Sequence, residues 1–113
     1  MNEDCIFCKI AGKQIPVTAI YEDEEFVAFR DLNPQAPVHV LLIPKVHYDT
    51  VLDVEDSAVL GRALSAVAKT AKALDLHESG FRTVINCRED GGQTVYHLHF
   101  HILGGRFMSW PPG

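Results

Sequence analysis

Several things are scarce in this chain of 113 residues, and each shortage excludes a class of protein. Three cysteines are too few, and of the wrong parity, for a disulfide framework. Positive charge is not in excess: 10 Lys and Arg stand against 15 Asp and Glu, a net charge of −5. Binders of nucleic-acid polymers carry a basic patch or stripe, so no such polymer is the expected partner. A single nucleotide stays open, because a few dipoles and hydrogen bonds suffice to hold it. No apolar run approaches the ~20 residues that span a bilayer, so no membrane partner is expected. The first four residues, Met-Asn-Glu-Asp, carry net negative charge and lack the basic flank and apolar stretch of a secretory signal, which makes a cytoplasmic location the default expectation. No repeat, low-complexity tract or long linker divides the chain, and a single domain over residues 1–113 is expected.

What is present suits a soluble globular domain, with 47% apolar and 22% charged residues. Residues 5–12 read as a short helix with Asp4 as a candidate N-cap and Gly12 as its stop. Apolar runs at about 18–22, 25–31 and 38–44 read as strands separated by turn residues. Their short links favour antiparallel neighbours. From Glu55 to Leu74 the period becomes helical, with Val59, Leu60, Ala63, Leu64, Val67, Ala68, Ala71 and Leu74 on one stripe. Two further strands are expected at 81–87 and 96–103, joined by a polar loop containing Gly91 and Gly92. The fold class is therefore α+β: about five antiparallel strands, one long helix on one face and a short N-terminal helix.

Residues 97–103 read His-Leu-His-Phe-His-Ile-Leu and hold half of the six histidines. A period of two is that of a strand, so His97, His99 and His101 share one face while Leu98, Phe100 and Ile102 share the other. One zinc ion cannot collect all three. Ligating nitrogens stand roughly 3.3 Å apart around zinc, whereas i and i+4 on a strand are about 13 Å apart. A neutral imidazole in such a row is a nucleophile for phosphorus, and its neighbour can donate to a phosphate oxygen or to the leaving group. Gly91-Gly92-Gln93-Thr94, just upstream, offers close backbone approach and further donors. His39, within a run of Val and Leu, reads as a core or supporting histidine. Arg30 is expected beside the site and not in it. Cys87 reads as a core cysteine.

Cys5 and Cys8 form a C-x-x-C pair. On a helix, i and i+3 lie on one face, so the pair is open to three readings: a metal clamp, a redox pair or two free thiols.

The pattern His-φ-His-φ-His-φ-φ (φ apolar) at residues 97–103 resembles the histidine-triad, or HIT, family of nucleotide hydrolases and transferases. The resemblance covers nearly the whole chain. Residues 29–39 are similar to the family's ribose-binding strand and turn, and residues 91–96 to its phosphate loop. The ending Trp110-Pro111-Pro112-Gly113 resembles the Hint branch of purine nucleoside phosphoramidases. The resemblance implies a HIT-like fold, with two sheets joined across a homodimer, and a purine nucleotide substrate. It makes His99 the nucleophile, gives His101 the phosphate end of the substrate, and leaves His97 in support. Asp31 would accept the ribose hydroxyls. Asn86, Gln93 and Thr94 would meet the phosphate and leaving group, with Thr94 standing where the branch usually has Ser. Ile6, Phe7, Ile10, Phe29 and Leu32 would line the purine slot, and Trp110 would reach toward a partner's site. Some relatives bind structural zinc through such a cysteine pair and two histidines, which implies a site of Cys5, Cys8, His47 and His97. The expected activity is hydrolysis of purine nucleoside 5′-phosphoramidates through a nucleotidyl-histidine. Dinucleoside polyphosphate hydrolysis, nucleotidyl transfer and non-catalytic nucleotide sensing are the alternatives.

Overall fold

Side chains that point alternately to two covered faces of one sheet set up the architecture. A computed structural model describes residues 3–113. The elements run α1 (Ile6–Ala11), β1 (Tyr21–Glu22), β2 (Phe26–Arg30), β3 (Val38–Pro44), a 3-10 turn (Val51–Asp53), α2 (Ser57–Ala73), β4 (Arg82–Val84) and β5 (Phe100–Gly104). The five strands form one antiparallel sheet in the order β1-β2-β3-β5-β4. The expected α+β fold, with one long helix and a short N-terminal one, is what the chain adopts.

Side-chain alternation assigns the two faces. Phe26 and Ala28 of β2, Val40 and Leu42 of β3, and Phe100 and Ile102 of β5 pack with Val59, Ala63, Val67 and Ala71 of α2. Val27, Phe29, Leu41 and Ile43 point to the other face, where Phe7 and Ile10 of α1 cover them. The buried stripe of α2 also takes in Ala66 and Thr70, while Leu64 is 53% exposed. Thr70 is accommodated because its hydroxyl donates to the Ala66 carbonyl at 2.7 Å.

Two local expectations are corrected. The N-cap of α1 is Cys5, whose sulfur accepts from the Cys8 N–H at 3.3 Å; Asp4 does not fill that position. The strand expected at 96–103 starts only at Phe100. Beyond the Leu42↔Phe100 pair, β3 offers Pro44, which has no N–H to donate. The Pro44 carbonyl is taken by the His97 side chain at 2.8 Å. Residues 97–99 therefore bend away from the sheet, and the Leu98 N–H donates to the Tyr48 carbonyl at 2.7 Å. The in-and-out alternation survives the bend, since Leu98 still joins the α2 core.

Candidate functional site

The sheet face that carries α1 opens into a cleft of about 540 Å³. Ile6, Phe7 and Ile10 of α1, Phe29 of β2 and Leu32 after it all line the cleft. These are the five residues assigned from sequence to the purine slot. Asp31, Thr94, His99 and His101 line it as well. Five apolar residues that sequence reasoning did not assign, Ile15, Pro16, Val17, Leu41 and Val95, also line it. Leu41 carried a signal, because it alternates with buried Val40 and Leu42 and so faces away from α2. Arg30 is exposed but lines the cleft, closer in than the expectation placed it.

Hydrogen bonds fix which nitrogen of each histidine bears a proton. His99 is 6% exposed, and its Nδ1 lies 2.7 Å from the His97 carbonyl. A carbonyl only accepts, so Nδ1 carries the hydrogen and Nε2 keeps the lone pair. Burial depresses the His99 pKa, which keeps the ring neutral. His39 has the reverse assignment. Its Nδ1 accepts from the Gln35 N–H at 3.0 Å, so Nε2 carries the hydrogen and donates to His101 Nδ1 at 2.8 Å. His101 must then hold its proton on Nε2. Burial, followed by the neighbouring His99 and His39 rings, pushes the His101 pKa down to about 4. Two neighbouring rings, 5.0 Å apart between centroids, thus carry complementary functions. His99 keeps a lone pair and His101 an N–H.

His39, read from sequence as a core or supporting residue, is the buried support of His101. It lies on the same sheet face because the register pairs His39 with Leu103, two residues from His101 on β5. Asp31 Oδ2 lies 3.4 Å from His39 Nε2, and Asp31 Oδ1 accepts from the Asn33 N–H at 2.8 Å. The carboxylate is thereby aimed with acceptor capacity to spare.

Behind His99, a second cluster joins Cys5, Cys8, His47 and His97, with their ligand atoms all within 4.8 Å of one another. Nδ1 of His47 lies 3.2 Å from the Cys8 sulfur and 3.2 Å from Nδ1 of His97. Nδ1 of His97 is 3.3 Å from the Cys5 sulfur and 3.5 Å from that of Cys8. Tetrahedral zinc with two sulfur and two nitrogen ligands has edges of about 3.3–3.8 Å, which these separations approach. The outer nitrogens are occupied: His97 Nε2 donates to the Pro44 carbonyl and His47 Nε2 to Asp49 Oδ1 at 2.6 Å. With each outer N–H used in this way, the neutral rings turn their Nδ1 lone pairs toward one another and toward the two sulfurs, an arrangement suited to a cation. Burial, the largest cause, pushes the His97 pKa down to about 4, favouring the neutral, ligating form. Burial also raises the Cys5 thiol, which a bound cation would reverse. Asp31, His39 and His101 also lie within 4.8 Å of one another, but there the His39 proton occupies the gap between the two rings. Phe7 packs its ring edge-on against both His97 and His99, at 5.8 and 5.2 Å, so α1 links the Cys/His cluster to the cleft.

The loop between β4 and β5 is held by hydrogen bonds of its own donors. A Cβ on Gly91 would stand 2.5 Å from the Cys87 carbonyl oxygen, and Gly92 has φ +73°. Both glycines serve a tight turn, and the Gly92 and Gln93 N–H groups are spent on the Glu89 and Arg88 carbonyls. The Gln93 side chain, 7% exposed, accepts from the Arg88 N–H and donates to the carbonyls of Asp49 and Val95. Asn86 donates to the Gly91 carbonyl at 2.6 Å. Gln93 and Asn86 hold the loop, and Thr94 is the assigned loop residue that reaches the cleft. Cys87 is half-buried beneath it. Trp110 lies away from the cleft wall, 79% exposed, with the Arg82 guanidinium 5.8 Å from its ring centre.

Comparison with known proteins agrees with this geometry. The HIT domain profile matches residues 12–108, a span that leaves out Cys5 and Cys8. A HIT-like protein of Synechococcus elongatus is 52% identical over 100% of both chains. The 14 kDa zinc-binding protein of Brassica juncea is 50% identical, covering 97% of this chain and 100% of its own. The crystal structure of a HIT family hydrolase from Legionella pneumophila superposes with a TM-score of 0.92 at 52% identity, over 97% of this chain and 100% of that one. On its sequence, its fold and its triad of histidines, the chain belongs to the HIT domain family.

Proposed function

We propose that this protein is a nucleotide hydrolase of the Hint type that cleaves purine nucleoside 5′-phosphoramidates through a nucleotidyl-histidine on His99. One observation carries the reading: His99 keeps the Nε2 lone pair in the cleft beside a His101 that presents an N–H. The apolar wall of Phe7, Ile10 and Phe29 suits a purine base, and the aimed Asp31 carboxylate suits the ribose hydroxyls. His99 Nε2 attacks phosphorus, and His101 donates a hydrogen bond to a phosphate oxygen, where charge accumulates. The P–N bond breaks, and the amine leaves with its electron pair and takes a proton from water. A second water then breaks the His99–phosphorus bond and releases the nucleoside monophosphate. The Legionella relative's description as a hydrolase supports the reaction class. Steady-state turnover of adenosine 5′-phosphoramidate should exceed that of diadenosine polyphosphates. Faster turnover of the polyphosphates would move the protein to the other hydrolytic branch.

Zinc is the metal we assign to Cys5, Cys8, His47 and His97, a Cys₂His₂ set typical of closed structural sites. The Brassica relative is named for zinc binding. When bound, the metal supplies a cross-link, pinning α1 to the segments that carry His47 and His97. About one zinc per chain is expected by elemental analysis.

A homodimer joined through β4 is the expected assembly. β4 is an outer strand of the sheet, and Phe81, Phe107 and Trp110 near it are 41%, 90% and 79% exposed. An open edge flanked by aromatics suits a second copy, which sedimentation would detect. No helix among the described residues is long and apolar enough to cross a membrane, and a cytoplasmic location fits that reading.

A further inference from the structure

Asp49 touches both halves of the site through two different groups. Its carboxylate Oδ1 lies 2.6 Å from His47 Nε2. Its backbone carbonyl accepts from the Gln93 side-chain amide at 2.7 Å. The first contact holds the hydrogen of His47 on Nε2 and so turns the Nδ1 lone pair toward Cys8 and His97. The second holds the buried amide that closes the loop of residues 88–95: Gln93 also takes the Arg88 N–H at 2.9 Å and donates to the Val95 carbonyl at 3.0 Å. Tyr48, next to Asp49, adds a parallel tie, its carbonyl receiving the Leu98 N–H at 2.7 Å. The Asp49 side chain is 63% exposed. It contributes little to the core, and its orienting role is therefore separable from folding.

We propose that Asp49 is a positioning residue that makes the Cys/His cluster and the loop of residues 88–95 one mechanical unit. A metal on Cys5, Cys8, His47 and His97 fixes the His47 ring, and the ring holds Asp49. Asp49 in turn anchors Gln93 and the turn that delivers Thr94 to the cleft. Partners that orient a ligating histidine are typically worth about 10–100-fold in metal affinity. The inference rests on the reading of that cluster as a zinc site.

Two measurements on the full chain test it. Zinc affinity is read by competition with a chromophoric chelator for wild type, Asp49→Ala and Asp49→Asn. The alanine variant should bind zinc about 10–100-fold more weakly, and the asparagine variant, which keeps an acceptor oxygen, should recover part of the loss. Amide hydrogen exchange is read for zinc-loaded and zinc-stripped protein. Stripping wild type should accelerate exchange at Gly92 and Gln93, the amides that close the turn, while the middle of α2 stays protected. Gln93→Ala should keep its zinc affinity and lose the dependence of loop exchange on zinc. A wild type that holds zinc but shows equal affinity in Asp49→Ala, or loop exchange indifferent to zinc, overturns the proposal alone. A wild type that takes up no zinc overturns the zinc reading, and the proposal falls with it.

Discussion

Nε2 of His39 and Nδ1 of His101 meet at 2.8 Å across neighbouring strands, and the Gln35 N–H on the far side of His39 fixes the direction of that bond. A backbone amide donates its hydrogen and does not give it up, so His39 must donate onward. The tautomer of a half-buried ring in the cleft is thus set by a main-chain group one residue removed. That relation separates the roles of His101 and His99, which the repeating sequence presents as equivalents.

Replacing His39 by Ala removes the donor and leaves the His101 tautomer unspecified. A lost buried hydrogen bond is worth about 1–3 kcal/mol, so kcat/KM for a nucleoside phosphoramidate should fall about 5- to 100-fold. His39→Gln, which keeps an N–H at a similar reach, should recover part of the loss in the same assay.

Acid should unfold this protein through its histidines. His97 and His101 titrate at about 4 in the folded state against 6.5 when unperturbed, chiefly because they are buried. Between those values the unfolded chain binds more protons than the native one, so stability rises with pH there. It is fully present above about 6.5 and is lost as pH falls toward 4. Thermal midpoints measured across that window should fall steadily, and a flat profile would contradict the burial of these rings. His99, depressed in the same direction, should keep kcat/KM level to below the ordinary histidine range.

Removing metal should lower the thermal midpoint, because an ion that binds only the folded chain stabilises it by mass action. Cys8→Ser should lower the midpoint of the untreated protein and abolish the effect of chelator. Scanning calorimetry with and without chelator checks both expectations.

Two glycines should respond oppositely to alanine. Gly61, on α2, has open space where a Cβ would go, so Gly61→Ala should stabilise by about 0.5–1 kcal/mol. Gly91→Ala places a methyl 2.5 Å from the Cys87 carbonyl oxygen. It should destabilise by about 1–3 kcal/mol and open the turn. Urea unfolding of the two variants reads both signs.

Much of this was legible in the sequence because it rests on local periodicity. An apolar run between turn residues found β3, the two-residue alternation found the face assignments of Leu98, Phe100 and Ile102, and the helical stripe found α2 within two residues. Ile6, Phe7, Ile10, Phe29, Leu32 and Asp31, singled out by resemblance for the purine and ribose, all line the cleft. What the sequence withheld depends on partners far away in the chain. The strand of residues 96–103 shortened because Pro44, more than fifty positions upstream, has no N–H to offer and gives its carbonyl to His97. His39 showed no function until the register placed it diagonally opposite His101. Gln93 and Asn86 look like phosphate donors by type, yet Gln93 spends its amide on the backbone of Arg88, Val95 and the distant Asp49, and Asn86 donates to the Gly91 carbonyl.

The central claim is that the free lone pair on His99 Nε2 forms a bond to phosphorus. Rapid mixing of the protein with excess adenosine 5′-phosphoramidate, quenching in alkaline denaturant, in which a phosphorus–imidazole bond survives, and peptide mass mapping tests it directly. A transient peptide containing residues 97–103, heavier by one adenylyl group, is expected, with the modification on His99 and absent from His99→Ala. Turnover by His99→Ala at the wild-type rate, or an adduct on His97 or His101 in its place, would contradict it.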